Sequence, residues 1–221
     1  MPELDGRIAV VTGAGSGIGQ GIALVLAQRG ADIVVSDIDI VAAEAVADEI
    51  RSFGKNALAV QADVTEREST DALASTAITD LGRIDILVNN AGVGGAPGWW
   101  ERSSPSPEDW DATYDVNVIG IVNTTSSFQE HMSERRSGRV INIASGAGRR
   151  GAGGFAHYSA SKAAAINVSQ GFALKLAEFN INVNCICPGL LWTPLWEKIA
   201  QRDRIKSGET VLTGRQVFEQ R

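Results

Sequence analysis

Six short runs of apolar and β-branched residues divide this chain, and longer helix-compatible segments separate them. The runs lie at residues 7–12, 32–37, 56–61, 84–89, 139–144 and 181–186. Each run is nearly continuous rather than alternating, which is typical of parallel strands that are covered on both faces. Strands that alternate with helices predict βαβ units, and therefore an α/β fold with a doubly wound parallel sheet and helices on both faces. The length of 221 residues fits one domain over residues 1–221.

Local signals predict where some of the intervening segments begin and end. Gly30 and Gly54 each follow a helix-compatible segment, as expected of C-cap glycines. A third segment opens with Thr65 and Glu68, which have the spacing of a capping box. The stretch 92–110 is rich in Gly, Pro and Ser and is long for a connector, so we expect a functional loop there.

The composition of the chain argues against nucleic acid, a membrane and a metal ion as partners. With 20 basic and 26 acidic residues the net charge is −6 and the pI is near 5.0, which argues against nucleic acid as a partner. No apolar stretch reaches membrane-spanning length and no secretory signal is visible, so we expect no membrane association and a cytoplasmic location. Cys185 and Cys187 lack His or Cys neighbours for a metal site, and we interpret them as buried free thiols.

The first strand runs into a glycine-rich turn, TGAGSGIG, at residues 12–19. Its glycines do not match G-x-G-x-x-G, yet they allow a tight turn and bring backbone N–H groups to a helix N-terminus, where a pyrophosphate can bind. A merely flexible connection between strand and helix is the alternative.

The second strand ends at Asp37, which lies 20 residues after Gly17, the offset at which a carboxylate meets the adenosine ribose. A carboxylate accepts hydrogen bonds from the ribose hydroxyls and repels a 2′-phosphate. Ser16 and Ile38 flank the site, and neither is basic. We therefore expect NAD(H) rather than NADP(H). Asp37 can also cap the following helix, and the two roles are compatible.

Further motifs follow in a fixed order. They are DV at 63–64, NNAG at 89–92, NV at 117–118, Ser145, YSASK at 158–162 and PGLLWT at 188–193. With these motifs, TGAGSGIG and an offset of 13 positions from Ser145 to Tyr158, the chain resembles the short-chain dehydrogenase/reductase family of the TGxxxGxG, NNAG and Ser-Tyr-Lys type. The stretch after PG is most similar to acetoin/butanediol and polyol dehydrogenases. The resemblance implies a Rossmann-like sheet and an oxidoreductase that transfers hydride to or from NAD.

The resemblance also implies the catalytic residues. Tyr158 exchanges a proton with the substrate oxygen, Ser145 hydrogen-bonds that oxygen, and Asn117 supports a water-linked proton path to Lys162. Lys162 lies one helical turn from Tyr158; a unit charge about 4 Å away is worth ~4 kcal/mol, or about three pKa units, and would bring the phenol near neutrality. The alternatives are a surface helix pair for Tyr158 and Lys162, and a helix-terminus hydrogen bond for Asn117.

The residues expected to contact NAD extend over most of the motifs. They are Gly13, Ser16, Gly17, Ile18, Gly19, Asp37, Asp63, Val64, Asn90, Ala91, Gly92, Tyr158, Lys162, Pro188, Gly189 and Thr193. The substrate pocket is expected at Trp99, Phe155, His157 and Trp192, although these aromatic residues could instead pack a lid or a subunit contact.

The expected substrate is a secondary alcohol or its ketone, of polyol or acetoin type. A 3-oxoacyl thioester is an alternative, because Arg149 and Arg150 could meet an acidic group. Family members usually continue with a further helix, a seventh strand and a Gly-rich tail, whereas this chain stops at ETVLTGRQVFEQR. We therefore expect a chain without the last strand, which leaves a non-catalytic NAD-binding remnant as a second alternative. A longer chain is expected to form a homo-tetramer or dimer.

Overall fold

The computed structural model describes residues 3–151, 154–207 and 214–219. Six strands form one sheet: β1 (Ile8–Thr12), β2 (Asp32–Asp37), β3 (Ala57–Gln61), β4 (Ile86–Asn89), β5 (Gly138–Ile143) and β6 (Ile181–Ile186). Their order is β3-β2-β1-β4-β5-β6 and every pairing is parallel. All six strands and the doubly wound sheet are thus confirmed, with ends shifted by at most two residues.

Eight α-helices accompany the sheet in the described part of the chain. They are α1 (Gly17–Gln28), α2 (Ile40–Ser52), α3 (Arg67–Leu81), α4 (Pro107–Tyr114), α5 (Gly120–Glu134), α6 (Ala156–Leu176), α7 (Pro194–Ser207) and α8 (Gly214–Glu219). Of the closing stretch 209–221, only residues 214–219 are described. No helix among the described residues is long and apolar enough to cross a membrane.

The two faces of β1 explain why its sequence is continuously apolar. Ile8 and Val10 belong to a core shared with α3, α5 and α6, whereas Ala9 and Val11 belong to a core shared with α1 and α2. Both faces of the strand are therefore buried, and a polar residue has no exposed position to occupy.

Two local expectations were wrong or incomplete. The predicted capping box does not form, because α3 begins at Arg67 and the Thr65 hydroxyl instead donates to the Asp63 carboxylate at 2.7 Å. Asp39, not Asp37, caps α2, since it accepts hydrogen bonds from the first N–H groups of that helix. In the first case Asp63 binds the Thr65 side chain, and in the second Asp39 is the residue directly before the helix.

The strand order reverses between β1 and β4, because β2 and β3 lie on one side of β1 and β4 to β6 on the other. In doubly wound sheets, the crevice at the carboxyl ends of the strands next to such a switch is where ligands bind. The glycine-rich turn follows β1 and the NNAG motif follows β4, so both sequence motifs open onto this crevice.

Candidate active site

The glycine-rich turn has a backbone that other residues would not adopt. Gly13 and Gly17 have φ values of 60° and 58°. A Cβ on Gly13 would lie 2.8 Å from the Cα of Ala91, and one on Gly19 would overlap the carbonyl oxygen of Gly13. Ser16 occupies the N-cap position of α1, with no hydrogen bond from its side chain to the helix, and half-buried Ile18 follows in the first turn. The turn is therefore a close-packed cradle before a helix N-terminus, not a flexible connection.

Hydrogen bonds of two side chains, one at the end of β1 and one directly after β4, join the glycine-rich turn to the NNAG motif. The Thr12 hydroxyl accepts hydrogen bonds from the backbone N–H groups of Asn90 and Ala91, at 3.1 and 3.2 Å. The Asn90 amide in turn donates to the carbonyl oxygens of Thr12 and Gly13. Since both motifs are fixed to each other, the backbone that would face a cofactor is preorganised.

Asp37 ends β2 beside the same turn. One of its carboxylate oxygens accepts a hydrogen bond from the Gly15 N–H at 2.8 Å, and the other accepts from the Asp39 N–H at 3.0 Å. The next residue, Ile38, is 62% exposed and carries no charge. A cradle that a Cβ would fill, a helix N-terminus and a fixed carboxylate are the features that suit a dinucleotide.

The pair expected to contact adenine lies after β3. Asp63 is half-buried, and its carboxylate accepts hydrogen bonds from the N–H and hydroxyl of Thr65. Val64 is buried, and its carbonyl oxygen accepts a hydrogen bond from the Asn123 amide at 3.0 Å. Both residues are therefore held in place by α3 and α5, which pack behind them.

Ser145 and Tyr158 are brought together as predicted. Ser145 follows β5 and its hydroxyl accepts a hydrogen bond from the Ala147 N–H at 3.1 Å. The same hydroxyl lies next to the phenol of Tyr158, which is in the first turn of α6. Burial raises the pKa of the Tyr158 phenol, and the neighbouring Ser145 hydroxyl lowers it only in part.

Lys162 is buried one turn further along α6, and its Nζ donates to the carbonyl oxygen of Ile143 at 3.0 Å. Burial lowers the pKa of Lys162 to about 8, and the nearby Cys185 thiol opposes that shift. Nζ lies 5.8 Å from the centre of the Tyr158 ring. The net direction of the Tyr158 pKa is thus opposite to the predicted lowering, because burial outweighs the other influences on the phenol.

Asn117 lies in a π-helical segment, Asp115–Ile119, between α4 and α5. Its side chain binds both backbone polar groups of Val93 and donates to the Ser161 hydroxyl at 2.9 Å. A Cβ on Gly92 would lie 3.1 Å from its Oδ1 and 3.2 Å from the Nζ of Lys162, so the three residues meet at one point. Single-turn π segments are frequent at functional sites.

The segment after β6 closes the other side of the crevice. The carbonyl oxygen of Pro188 accepts a hydrogen bond from the Gly146 N–H at 2.8 Å, next to Ser145. Gly189 is exposed. The Cβ of Thr193 lies 3.8 Å from where a Cβ on Gly17 would be. Thr193 therefore lies against the glycine-rich turn, directly before the start of α7.

Three of the four predicted pocket residues form one cluster. The ring of Phe155 stacks on Tyr158 with centroids 4.8 Å apart, lies 5.0 Å from Trp99, and meets His157 edge-on at 4.9 Å. Trp192 lies half-buried in the segment before α7. Phe155 and Trp99 are both buried, so they form an aromatic wall beside the phenol.

His157 is 1% exposed and belongs to this wall. Its Nε2 lies 2.8 Å from the carbonyl oxygen of Gly94, which fixes the proton on Nε2 and leaves Nδ1 as an acceptor. Burial lowers the pKa of His157, so the neutral ring is favoured. Among the described residues, Nδ1 has no hydrogen-bond partner.

Some functional contacts were not predicted. Two of them are the hydrogen bonds of the Thr12 hydroxyl and the hydrogen bond from Asn117 to the Ser161 hydroxyl. Thr12 and Ser161 both lie inside the quoted motifs, and their polar side chains were the only sequence signal for these contacts. Arg202 of α7 reaches the aromatic wall, with its guanidinium carbon 4.5 Å from the centre of the Phe155 ring. No local pattern in the sequence indicates that contact, because it depends on how α7 folds back.

Known proteins resemble this chain over most of its length. The hydroxy(phenyl)methylsuccinyl-CoA dehydrogenase subunit BbsD of Thauera aromatica is 38% identical over 205 residues, which cover 91% of this chain and 79% of that protein. A 3-oxoacyl-[acyl-carrier-protein] reductase of Synechocystis sp. is 39% identical over 204 residues, covering 90% and 80%. The crystal structure of NAD⁺-bound xylitol dehydrogenase superposes with a TM-score of 0.88 at 32% identity, covering 99% and 84%.

The geometry and the similarities agree on one family. The described sheet, the cofactor cradle and the Ser145, Tyr158 and Lys162 cluster have the arrangement implied by the sequence motifs. The family model for short chain dehydrogenases matches residues 7–204. The chain belongs to the short-chain dehydrogenase/reductase family of oxidoreductases, which use nicotinamide cofactors.

Proposed function

We propose that this chain is an NAD(H)-dependent dehydrogenase that interconverts a secondary alcohol and its ketone, with Tyr158 as general acid and base. The observation that carries the proposal is the position of the Tyr158 phenol beside the Ser145 hydroxyl, with buried Lys162 one turn away. Two hydroxyl groups that meet in this way can both address one substrate oxygen.

The residues divide the work of the reaction. A bound nicotinamide supplies or accepts the hydride. When a ketone is reduced, Tyr158 gives its proton to the carbonyl oxygen while Ser145 hydrogen-bonds the same oxygen as negative charge develops there. When an alcohol is oxidised, Tyr158 must act as a phenolate and take the hydroxyl proton, so the positive charges of Lys162 and of a bound oxidised nicotinamide would have to offset the burial that raises its pKa. Lys162, with its pKa near 8, would stabilise the phenolate and pass a proton along the water-linked path that Asn117 is expected to support.

The preference for NAD(H) rests on Asp37. Its carboxylate is fixed by two backbone N–H groups and retains lone pairs for the ribose hydroxyls, whereas it repels a 2′-phosphate. Exposed Ile38 offers no positive charge to offset that repulsion. The similar xylitol dehydrogenase is NAD⁺-bound, which supports the same preference.

The pocket suits a small polyol or an acetoin-like hydroxyketone. The wall formed by Trp99 and Phe155 favours a compact carbon skeleton, and the free acceptor at Nδ1 of His157 suits a second hydroxyl group. A hydroxyl can donate to neutral His157, whereas a carboxylate cannot. The likeness to xylitol dehydrogenase supports a polyol.

A 3-oxoacyl thioester is the second candidate. Arg149 and Arg150 lie exposed between Ser145 and Tyr158, where they could bind the phosphate of a thioester carrier. The similar proteins include the hydroxy(phenyl)methylsuccinyl-CoA dehydrogenase subunit and a 3-oxoacyl-[acyl-carrier-protein] reductase. A variant with both arginines changed to alanine separates the candidates, because it should lower turnover of acetoacetyl-CoA and leave acetoin turnover unchanged.

The deciding experiment is an NADH-fluorescence titration of the chain, followed by turnover on acetoin, butanediol, xylitol and acetoacetyl-CoA. Binding together with turnover that Tyr158→Phe abolishes is the expected result. Binding without turnover of any substrate would favour a non-catalytic NAD-binding protein. Absence of binding would overturn the proposal.

A further inference from the structure

A continuous series of ring contacts connects helix α7 to the Tyr158 phenol. Tyr158 stacks on Phe155 with centroids 4.8 Å apart and planes inclined by 24°. The Arg202 guanidinium carbon lies 4.5 Å from the centre of that Phe155 ring and 5.4 Å from the centre of the Trp99 ring. The proton-transfer residue thus contacts a ring that a buried cation also contacts.

The burial of these groups makes the contact strong and stiff. Phe155 and Arg202 are each 8% exposed and Trp99 is 4% exposed. A guanidinium over an aromatic face is attracted more strongly when water is excluded, and close-packed side chains transmit small displacements to their neighbours. A displacement of the Arg202 side chain therefore displaces Phe155, and Phe155 in turn displaces Tyr158.

The start of α6 needs such support. Phe155 occupies the N-cap position of this helix, and no side-chain hydrogen bond caps it. The first-turn N–H groups then lack the usual Ser or Asp acceptor, and the position of the turn depends more on packing. Tyr158 lies in this first turn, so the packing of Phe155 directly affects the phenol.

We propose that Arg202 is a positioning residue, which orients the Tyr158 ring through Phe155 when α7 lies over the pocket. The inference rests on the proposed function, because it concerns how the same phenol is aimed at its substrate.

Lys198 provides a matched comparison within α7. It lies one helical turn before Arg202, and its Nζ is 4.4 Å from the centre of the Trp100 ring. Both cations attach α7 to aromatic residues of the 3₁₀ turn Trp99–Glu101. Only Arg202 also contacts the ring that stacks on Tyr158. A substitution of Lys198 therefore tests the attachment of the helix alone, and a substitution of Arg202 tests the orientation of the phenol as well.

The kinetic test compares Arg202→Met, Arg202→Lys and Lys198→Met in the full chain, with NADH affinity as the measure of an intact fold. We expect Arg202→Met to lower kcat by about tenfold with NADH affinity unchanged, since orientation of a proton donor acts on the chemical step. Arg202→Lys should recover part of the loss. Lys198→Met should alter KM and leave kcat within about twofold. Equal losses of kcat in the two methionine variants would overturn the proposal.

A spectroscopic test works without turnover. The chain has two tyrosines, so ring-labelled tyrosine gives two sets of NMR signals, which Tyr114→Phe assigns. Arg202→Met and Phe155→Leu should each shift the Tyr158 signals, and Lys198→Met should not. If the Tyr158 signals do not move in Arg202→Met, the positioning role is wrong. If they move while the unmodified chain turns over no substrate, the contact is supported and the dehydrogenase proposal fails.

Discussion

The carboxylate of Asp37 accepts a hydrogen bond from the backbone N–H of Gly15 at 2.8 Å, which joins the end of β2 to the turn after β1. The acidic group that we expect to select the cofactor is therefore held by the same turn that we expect to bind the pyrophosphate. Pyrophosphate binding and ribose selection depend on one local structure.

Replacement of this carboxylate should change cofactor preference. In Asp37→Ser with Ile38→Arg, the repulsion of a 2′-phosphate is removed and a positive charge is added. We expect the ratio of kcat/KM for NAD to that for NADP to fall by about 100-fold or more, since discrimination is a difference of two affinities. The measurement is steady-state kinetics with both cofactors.

Asp39 provides the control, because it is also acidic but caps α2 instead of facing the turn. Asp39→Ala should lower the free energy of unfolding by about 1 kcal/mol through loss of the cap, with the cofactor ratio unchanged. A ratio that shifts equally in both variants would mean that general charge, not the position of Asp37, selects the cofactor.

Two glycines of α1 should respond in opposite ways to alanine. A Cβ on Gly19 would overlap the carbonyl oxygen of Gly13 and approach the Asn90 amide, whereas a Cβ on Gly21 meets nothing within 4 Å. Gly19→Ala should weaken NADH binding by at least about tenfold, because the cradle must open. Gly21→Ala should keep the affinity and raise the unfolding free energy by about 0.5–1 kcal/mol. Fluorescence titration and urea unfolding test both, and equal NADH affinities would contradict the packing.

The sequence alone predicted the sheet and the residues of the site, but not how those residues are held. Continuous apolar runs indicated both buried faces of strands such as β1, because a parallel strand leaves no exposed positions. The Ser145 and Tyr158 pair was implied by the resemblance to the family. The Thr65 cap was wrong because Asp63 competes for the same donors. The Arg202 contact could not be found, because it joins two segments whose relative position only the folded chain defines.

Lys162 should make stability depend on pH in the alkaline range. Burial lowers its pKa from 10.5 to about 8, so between these values the folded state binds fewer protons than the unfolded chain. The contribution of Lys162 to the free energy of unfolding therefore rises with pH across this window. Compared with a neutral residue at the same position, Lys162 is most destabilising below pH 8. The unfolding free energy of the unmodified chain, minus that of Lys162→Met, should increase by on the order of 3 kcal/mol from pH 8 to 10.5.

Urea unfolding at several pH values measures this difference. Groups that titrate in both chains largely cancel when the two are subtracted. Lys175→Met, a change at an exposed position on the same helix, should show no such dependence. A Lys162 difference that stays flat from pH 8 to 10.5 would mean that the buried amine keeps its ordinary affinity for protons.

Asp85 should support the fold at the amino end of the sheet. Its carboxylate is 5% exposed, accepts a hydrogen bond from the Ile8 N–H at 3.0 Å, and pairs with Arg7, Arg83 and Arg135. Burial raises its pKa, but the hydrogen bonds from Ile8, Arg135 and Arg83 outweigh burial, and the net shift is downward. Asp85→Asn should lower the unfolding free energy at pH 7 by about 2 kcal/mol, because it removes a buried charge that accepts several hydrogen bonds. The loss is not larger because the arginines keep much of their contact with solvent.

The same carboxylate sets the pH dependence of that loss. Because the pKa of Asp85 is lower in the folded state, its contribution is present above the ordinary value of 3.8 and disappears as the pH falls through the folded value. The deficit of Asp85→Asn should therefore shrink in unfolding experiments carried below pH 3.8. Asp71→Asn removes an exposed ion pair with Arg67 and should cause no comparable loss at pH 7. If the two variants lost equal stability, burial would not be what makes the Asp85 cluster matter.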